Sequence, residues 1–275
     1  MLFFQIKWRL VKLALCLAVL CFFYNPGYAA ALPAAIEIKV GSSARPPFLA
    51  EEGLSGAAPE VIAAMNSVQN QFEFVLVPVP IKRRTQSLAD GWVDVVMWDN
   101  PAWGWQEEDL TLTMALVSSK DIFLALKKKN RNQQFFAELT DKNLVAVHGY
   151  HYKFANYVTE LSELIKRFNI TLVRSEEVTI NMILAHRAEV AVVSTIALNW
   201  FLQRHPEFKD KFIVSKRFDT AYDRFFLVPK SSPVQAGELN RILAKADQRG
   251  LLADIYRRYG LKKPDFSGLY LQPVR

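Results

Sequence analysis

The sequence predicts an α/β protein built as two similar βα lobes joined by a pair of crossing strands. Three observations carry that prediction. Short β-branched runs alternate with segments of helical period, the pattern of βα units with largely parallel sheets. The same series begins again past the polar stretch 127–134, where Leu184 and Ala185 lead through Glu189 into a β-branched run much as Leu88 and Ala89 lead through Asp94. Two further strand-like runs, 122–126 and 225–228, stand where the chain would leave the first lobe and return to it.

Taken in order, 36–40 is the first strand. Arg45, Pro46, Pro47 and Phe48 follow and cannot be helical, because each proline disfavours the α conformation of the residue before it. Pro59 suits the first turn of a helix that places Val61, Ile62 and Met65 on one face. A second strand at 72–77, a short helix through 85–89 ended by Gly91, and a buried strand at 93–97 complete the first series. The second series reads as strand 144–147, helix 152–168, strand 171–173, helix 178–185 and strand 190–193. After the return strand, helices at 234–248 and 251–259 fit best on the first lobe, which makes that lobe discontinuous: 31–125 with 225–275, against 126–224 for the second.

Residues 1–30 read as a secretory signal peptide, with Lys7, Arg9 and Lys12 ahead of an apolar run and Gly27 to Ala31 as a small-residue cleavage zone. The uncharged stretch is about a dozen residues, too short to span a bilayer. Both cysteines, Cys16 and Cys21, lie in this segment, so the exported chain has no thiol for a disulfide, a metal site or a nucleophile. The net charge of +7 falls to +4 without the three leader cations. Short basic clusters such as Lys127 to Lys129 lack aromatic interleaving, so nucleic acid is not expected as a partner.

In the order and spacing of these elements the chain resembles the family 3 extracellular solute-binding proteins, the group that includes amino-acid receptors of ABC importers. The resemblance rests on Arg45 to Phe48 after the first strand, Gly53 to Glu60 before the first helix, Leu88, Ala89, Asp90 and Gly91 with Asp94, the crossover at 123–126, Gly149, and the return at 222–230. It implies a type II periplasmic-binding-protein fold with a two-strand hinge. It also implies a periplasmic protein that closes around a small-molecule solute, a permease or membrane sensor as partner, a monomer, and no enzyme activity. Receptors of this kind usually carry an arginine shortly after the third strand for the ligand carboxylate. They also place an aspartate after the third strand of the second lobe for the ammonium. Here the first region, from Trp98 to Glu108, holds no arginine, and Ser194 and Thr195 stand at the second.

Ligands of open α/β lobes sit beyond the carboxyl ends of the strands, so the loops there supply the candidates. In the first lobe these are Arg45, Phe48, Trp98, Asp99, Trp103 and Trp105; tryptophans offer a flat apolar face with one polar N–H, for stacking or for packing beneath a lid. In the second lobe they are His148, Tyr150, His151, Ser194 and Thr195, the serine serving equally as a helix cap. Tyr222, Asp223 and Arg224 could face the cleft at the hinge, and Asp223 and Arg224 could equally pair with each other at the surface; Arg83 or Arg84 could answer a ligand acid but read better as a solvated helix start. His148, His151, Asp99 and Glu107 are the acid and base candidates of the competing enzyme reading. Neither cofactor nor metal is expected, since two histidines three apart lack further ligands nearby.

Overall fold

A computed structural model describes residues 34–50, 54–105 and 109–269. The leader assignment at 1–30, with its two cysteines, and Glu107 lie outside the described residues. No described helix is long and apolar enough to cross a membrane.

The first lobe begins with β1 (Ile36–Ser42), α1 (Ala57–Ser67), β2 (Phe72–Pro78), α2 (Arg84–Ala89) and β3 (Val95–Asp99). Strand β4 (Leu110–Leu112) is followed by β5 (Val117–Leu126), which leads into the second lobe. That lobe holds β6 (Asn143–Val147), a 3-10 turn (Lys153–Ala155), α3 (Leu161–Leu164), β7 (Asn169–Val173), α4 (Glu176–Leu184), β8 (Val190–Ser194) and α5 (Thr195–Arg204). Strand β9 (Phe212–Pro229) returns the chain to α6 (Ala236–Gln248) and α7 (Leu251–Arg258). The strands form one curled mixed sheet in the order β2-β1-β3-β9-β5-β8-β6-β7, with β4 beside β9. Pairings within each βα series are parallel, and those of the two crossing strands are antiparallel.

Each lobe is packed on both faces of its part of the sheet. In the first, Ile38, Val40, Val95 and Met97 meet α1, α6 and α7 on one side, while Val96 and Leu227 meet Leu88 and Trp105 on the other. In the second, Leu144, Ala146 and Val192 pack under Tyr152 and Phe168, and Val145, Ala191 and Val193 under α4 and α5. Alternation of inward side chains along β-branched strands supplies both cores at once.

The crossing strands are much longer than their sequence signals. Their register runs from Val117 opposite Arg224 to Leu126 opposite Phe212, so the 18-residue β9 belongs to both lobes. Its first half breaks the apolar start Phe212 to Val214 with Ser215, Lys216 and Arg217 and is partly exposed, so it carries no continuous strand signal.

The helix expected over 152–168 is a correction: only the 3-10 turn and four residues of α3 are helical. Asp219 of β9 accepts the backbone N–H groups of Lys153 (2.6 Å) and Phe154 (2.7 Å), capping the start of the 3-10 turn. Asn156 and Tyr157 then adopt left-handed backbone (φ 55° and 62°), which a right-handed helix excludes. Phe154, Val158, Leu164 and Phe168 still reach the core, so the apolar spacing is satisfied without the helix.

Candidate functional site: the cleft between the lobes

The loop after β1 is built to hold Arg45. Phe48 and Pro47 offer their carbonyls to Ala58 N–H (2.8 Å) and Ala57 N–H (3.0 Å), so this loop closes the start of α1. That close approach requires Gly56: at φ 129° a Cβ there would stand 2.5 Å from the Phe48 carbonyl oxygen. Arg45 is thereby fixed above the end of β1, with its guanidinium 5.7 Å from the Trp103 ring and 5.4 Å from the Tyr150 ring of the other lobe.

At the end of β3 the backbone of Trp98 turns left-handed (φ 65°) and the pairing with β9 slips between Met97 and Asp99. This irregularity breaks the strand's alternation. Trp98 joins Met97 in the α1 core, 2% exposed, edge-on to Phe48 at 4.2 Å, and Trp105 is buried in the opposite core. Neither lines the cleft. Phe48 is buried too, beneath Arg224. Of the tryptophan-rich loop only Trp103 does so, half-buried and edge-on to Tyr222 at 4.8 Å.

Asp99 is buried between two arginines, with Oδ2 2.7 Å from Arg84 Nε and Oδ1 3.8 Å from Arg45 Nη1. The Arg84 approach is close enough for an ion pair but off the line of a hydrogen bond. Arg84 also donates to the carbonyls of Ile81 and Trp103. The solvated helix start expected for Arg83 and Arg84 therefore holds for Arg83 alone; Arg84 is buried in the site, where burial lowers its pKa despite the Asp99 charge.

Arg224 is a further buried arginine of the site. It is 2% exposed, donates from Nη1 to the Trp98 carbonyl (3.1 Å), and stands over the rings of Trp103 (4.7 Å), Tyr222 (5.1 Å) and Phe48 (5.3 Å). Its Nε has no hydrogen-bond partner, and among the described residues no carboxylate lies within ion-pairing distance. It does not pair with Asp223, which accepts instead from Ser118 Oγ at 2.5 Å.

The second lobe and the hinge supply the facing wall. Asp121 on β5 is buried, accepts from Tyr222 Oη (2.8 Å), and has its pKa pushed up to about 7, first by burial and then by the nearby Glu176 charge. Its strand partner across β8 is Ser194. Ser194 itself caps α5, its Oγ accepting from Ala197 N–H at 3.0 Å, and its own N–H donates to Glu176 Oε1. The Thr195 hydroxyl lies 3.2 Å from Ser119 Oγ and accepts from Lys120 N–H (3.3 Å), and Thr195 does not line the cavity. Tyr150 and His151 reach the cleft. Burial and the Arg84 charge lower the His151 pKa. His148 stands at the edge instead, accepting at Nε2 from Lys82 Nζ of the first lobe at 3.3 Å.

Together these residues enclose a narrow cavity of about 310 Å³ counting its open side, lined by Arg45, Arg84 and Trp103 of the first lobe with Arg224 of the crossing strand β9, and opposite by Asp121, Gly149, Tyr150, His151 and Tyr222. One wall carries guanidinium groups and the other a carboxylate, with three aromatic faces between. Among the described residues no group of three or more His, Cys, Asp or Glu comes together as a metal site.

No protein-family model and no curated protein sequence matches the chain. Solved structures do. The ligand-binding core of GluR0 from Nostoc punctiforme, in complex with L-glutamate, is similar over 81% of this chain and 98% of that one, at 15% identity and a TM-score of 0.62. ArtJ of Geobacillus stearothermophilus, an arginine-, lysine- and histidine-binding protein, is similar over 85% and 99%, at 16% identity and 0.62. The ancestral amino-acid-binding protein AncCDT-1, a precursor of cyclohexadienyl dehydratase, is similar over 81% and 95%, at 16% identity and 0.60. These likenesses establish the type II periplasmic-binding-protein fold.

Proposed function

We propose that this chain is a periplasmic solute-binding protein whose lobes close on a small zwitterionic, amino-acid-like solute. The observation that carries the reading is Arg224, a buried cation without a carboxylate partner among the described residues, aimed into a cavity shared by both lobes. A buried guanidinium with free donors is costly until an anion supplies the missing acceptor. A solute carboxylate meets that need, with Arg45 beside it. Asp121 on the opposite wall answers a solute ammonium, and the tyrosines and Trp103 enclose the rest.

The two charges missing from their expected places thus come from neighbouring strands. Arg224 on β9 flanks the end of β3, and Asp121 on β5 stands opposite Ser194 of β8. The bodies that close are residues 31–125 with 225–275, and 126–224, exported by a leader at 1–30. Fold neighbours that bind amino acids support this reading, and so does the Lys82 to His148 contact across the cleft edge. Delivery to an ABC permease or a membrane sensor follows from the same reading, with the chain a monomer.

One observation favours a second reading, turnover of the solute. A buried carboxyl on the cavity wall with its pKa pushed up to about 7 suits a general acid or base. Asp99, by contrast, is committed to two arginines, which removes it from that role. The purified protein, screened by thermal shift against amino acids, polyamines, small acids and sugars, should be stabilised by amino acids. Product formation from any stabilising solute establishes the second reading, and absence of a shift with every class contradicts the first.

A further inference from the structure

The central cavity opens on one side into a wider mouth of about 1280 Å³, and the two share Trp103, His151 and Tyr222 in their walls. Tyr157 completes that mouth. It is 51% exposed, although a large aromatic side chain gains by burial, and its backbone is held left-handed at φ 62° by its N–H donating to the Tyr152 carbonyl (2.8 Å). A tyrosine in that conformation is strained relative to an ordinary backbone. No described ring stacks on Tyr157, whereas Trp103 and Tyr222 pair with each other. The mouth is therefore lined by an aromatic from the second lobe and an aromatic pair from the first lobe and the hinge, together with the half-buried His151 and Phe225.

We infer that this mouth is a second subsite, which takes a planar ring carried by the solute, so that the ligand is an aryl-bearing amino acid with its charged head in the cavity and its ring between Trp103 and Tyr157. The inference rests on the head-group assignment above. Rings prefer offset or edge-on neighbours 4.5–7 Å away, and a ring entering here meets such neighbours from both lobes, which rewards the closed form. The cleft has another opening, past Arg45 and Tyr150 toward Trp200, but there Trp200 is already engaged by Tyr259 (5.6 Å) and by the Arg204 guanidinium (5.2 Å).

Calorimetric titration of the purified protein with alanine, phenylalanine and homophenylalanine tests it, alongside Tyr157→Asn and Tyr157→Phe. Asparagine tolerates the left-handed backbone, so Tyr157→Asn should fold with an unchanged or raised Tm. The two aryl solutes should bind about tenfold or more tighter than alanine. Tyr157→Asn should remove that advantage and leave alanine unaffected, and Tyr157→Phe should keep it. Equal affinity for all three solutes, or aryl binding that survives Tyr157→Asn and falls in Trp200→Ala, overturns the ring subsite and leaves the head-group reading standing. Binding of none of them overturns both.

Discussion

The ends of β3 and β8 occupy equivalent places in their lobes and are finished in opposite ways. At β3 the chain buries a charge, Asp99, and locks it between Arg84 and Arg45. At β8 it buries a hydroxyl, Ser194, and spends it on capping the next helix. In neither case does the side chain at the strand end line the cavity. The group that does, Arg224 or Asp121, comes from the crossing strand alongside. The charges that would read a solute thus sit on the elements that join the lobes, where they respond to closure.

The largest difference between the two ends should appear on removing Asp99. Asp99→Asn leaves Arg84 buried without its counter-charge and should cost about 3–5 kcal/mol of unfolding free energy in urea titrations. Loss of under about 1 kcal/mol would mean that the first lobe end is not charge-locked. Next comes Arg224→Met, which removes an unpaired buried charge and should leave Tm level or higher while weakening amino-acid binding by about 2–5 kcal/mol in calorimetry.

At the other end Asp121 gives a pH signature. Its folded pKa of about 7 lies above its ordinary value of 3.8, so between those two values the folded state holds a proton that the unfolded chain has released. Stability should therefore fall as pH rises through that window and level off above it. Asp121→Asn removes this penalty: the variant should gain on the wild type from pH 4 to pH 8, as read from paired melting curves. A pH-independent difference would remove the buried carboxyl from the account. The smallest effect belongs to Ser194→Ala, about 1 kcal/mol from the lost cap, with solute affinity unchanged.

Much of this fold was legible because the signals were local. β-branched runs marked β1, β2 and β6 to β8, and the paired prolines marked the loop that carries Arg45. Amphipathic spacing marked α1, α6 and α7. What escaped depended on contacts distant in sequence. Left-handed Asn156 and Tyr157 interrupt the helix expected from 152, and Asp219, which caps the turn before them, lies on a strand whose apolar start is broken by Ser215, Lys216 and Arg217. Trp98 enters the core because of a backbone irregularity at the end of β3, which no residue type announces.

The site divides in the same way. Arg45, Trp103, Tyr150, His151 and Tyr222 were found from loop position and do line the cavity. Arg84 reads as exposed because arginine usually is, and Asp121 carries no signal because it stands just ahead of the apolar run 122–126. Only the sheet order, which sets β9 beside β3 and β5 beside β8, shows why these polar residues point inward.

The central claim is that one wall of the cleft reads a carboxylate and the other an ammonium. Its most direct test is calorimetric titration of the wild-type protein with whichever amino acid stabilises it most, and with that solute's des-amino and decarboxylated counterparts. The complete zwitterion should bind at one site per chain, and each counterpart should lose at least about a hundredfold in affinity, roughly 2.7 kcal/mol. Equal affinity for either counterpart would contradict the claim.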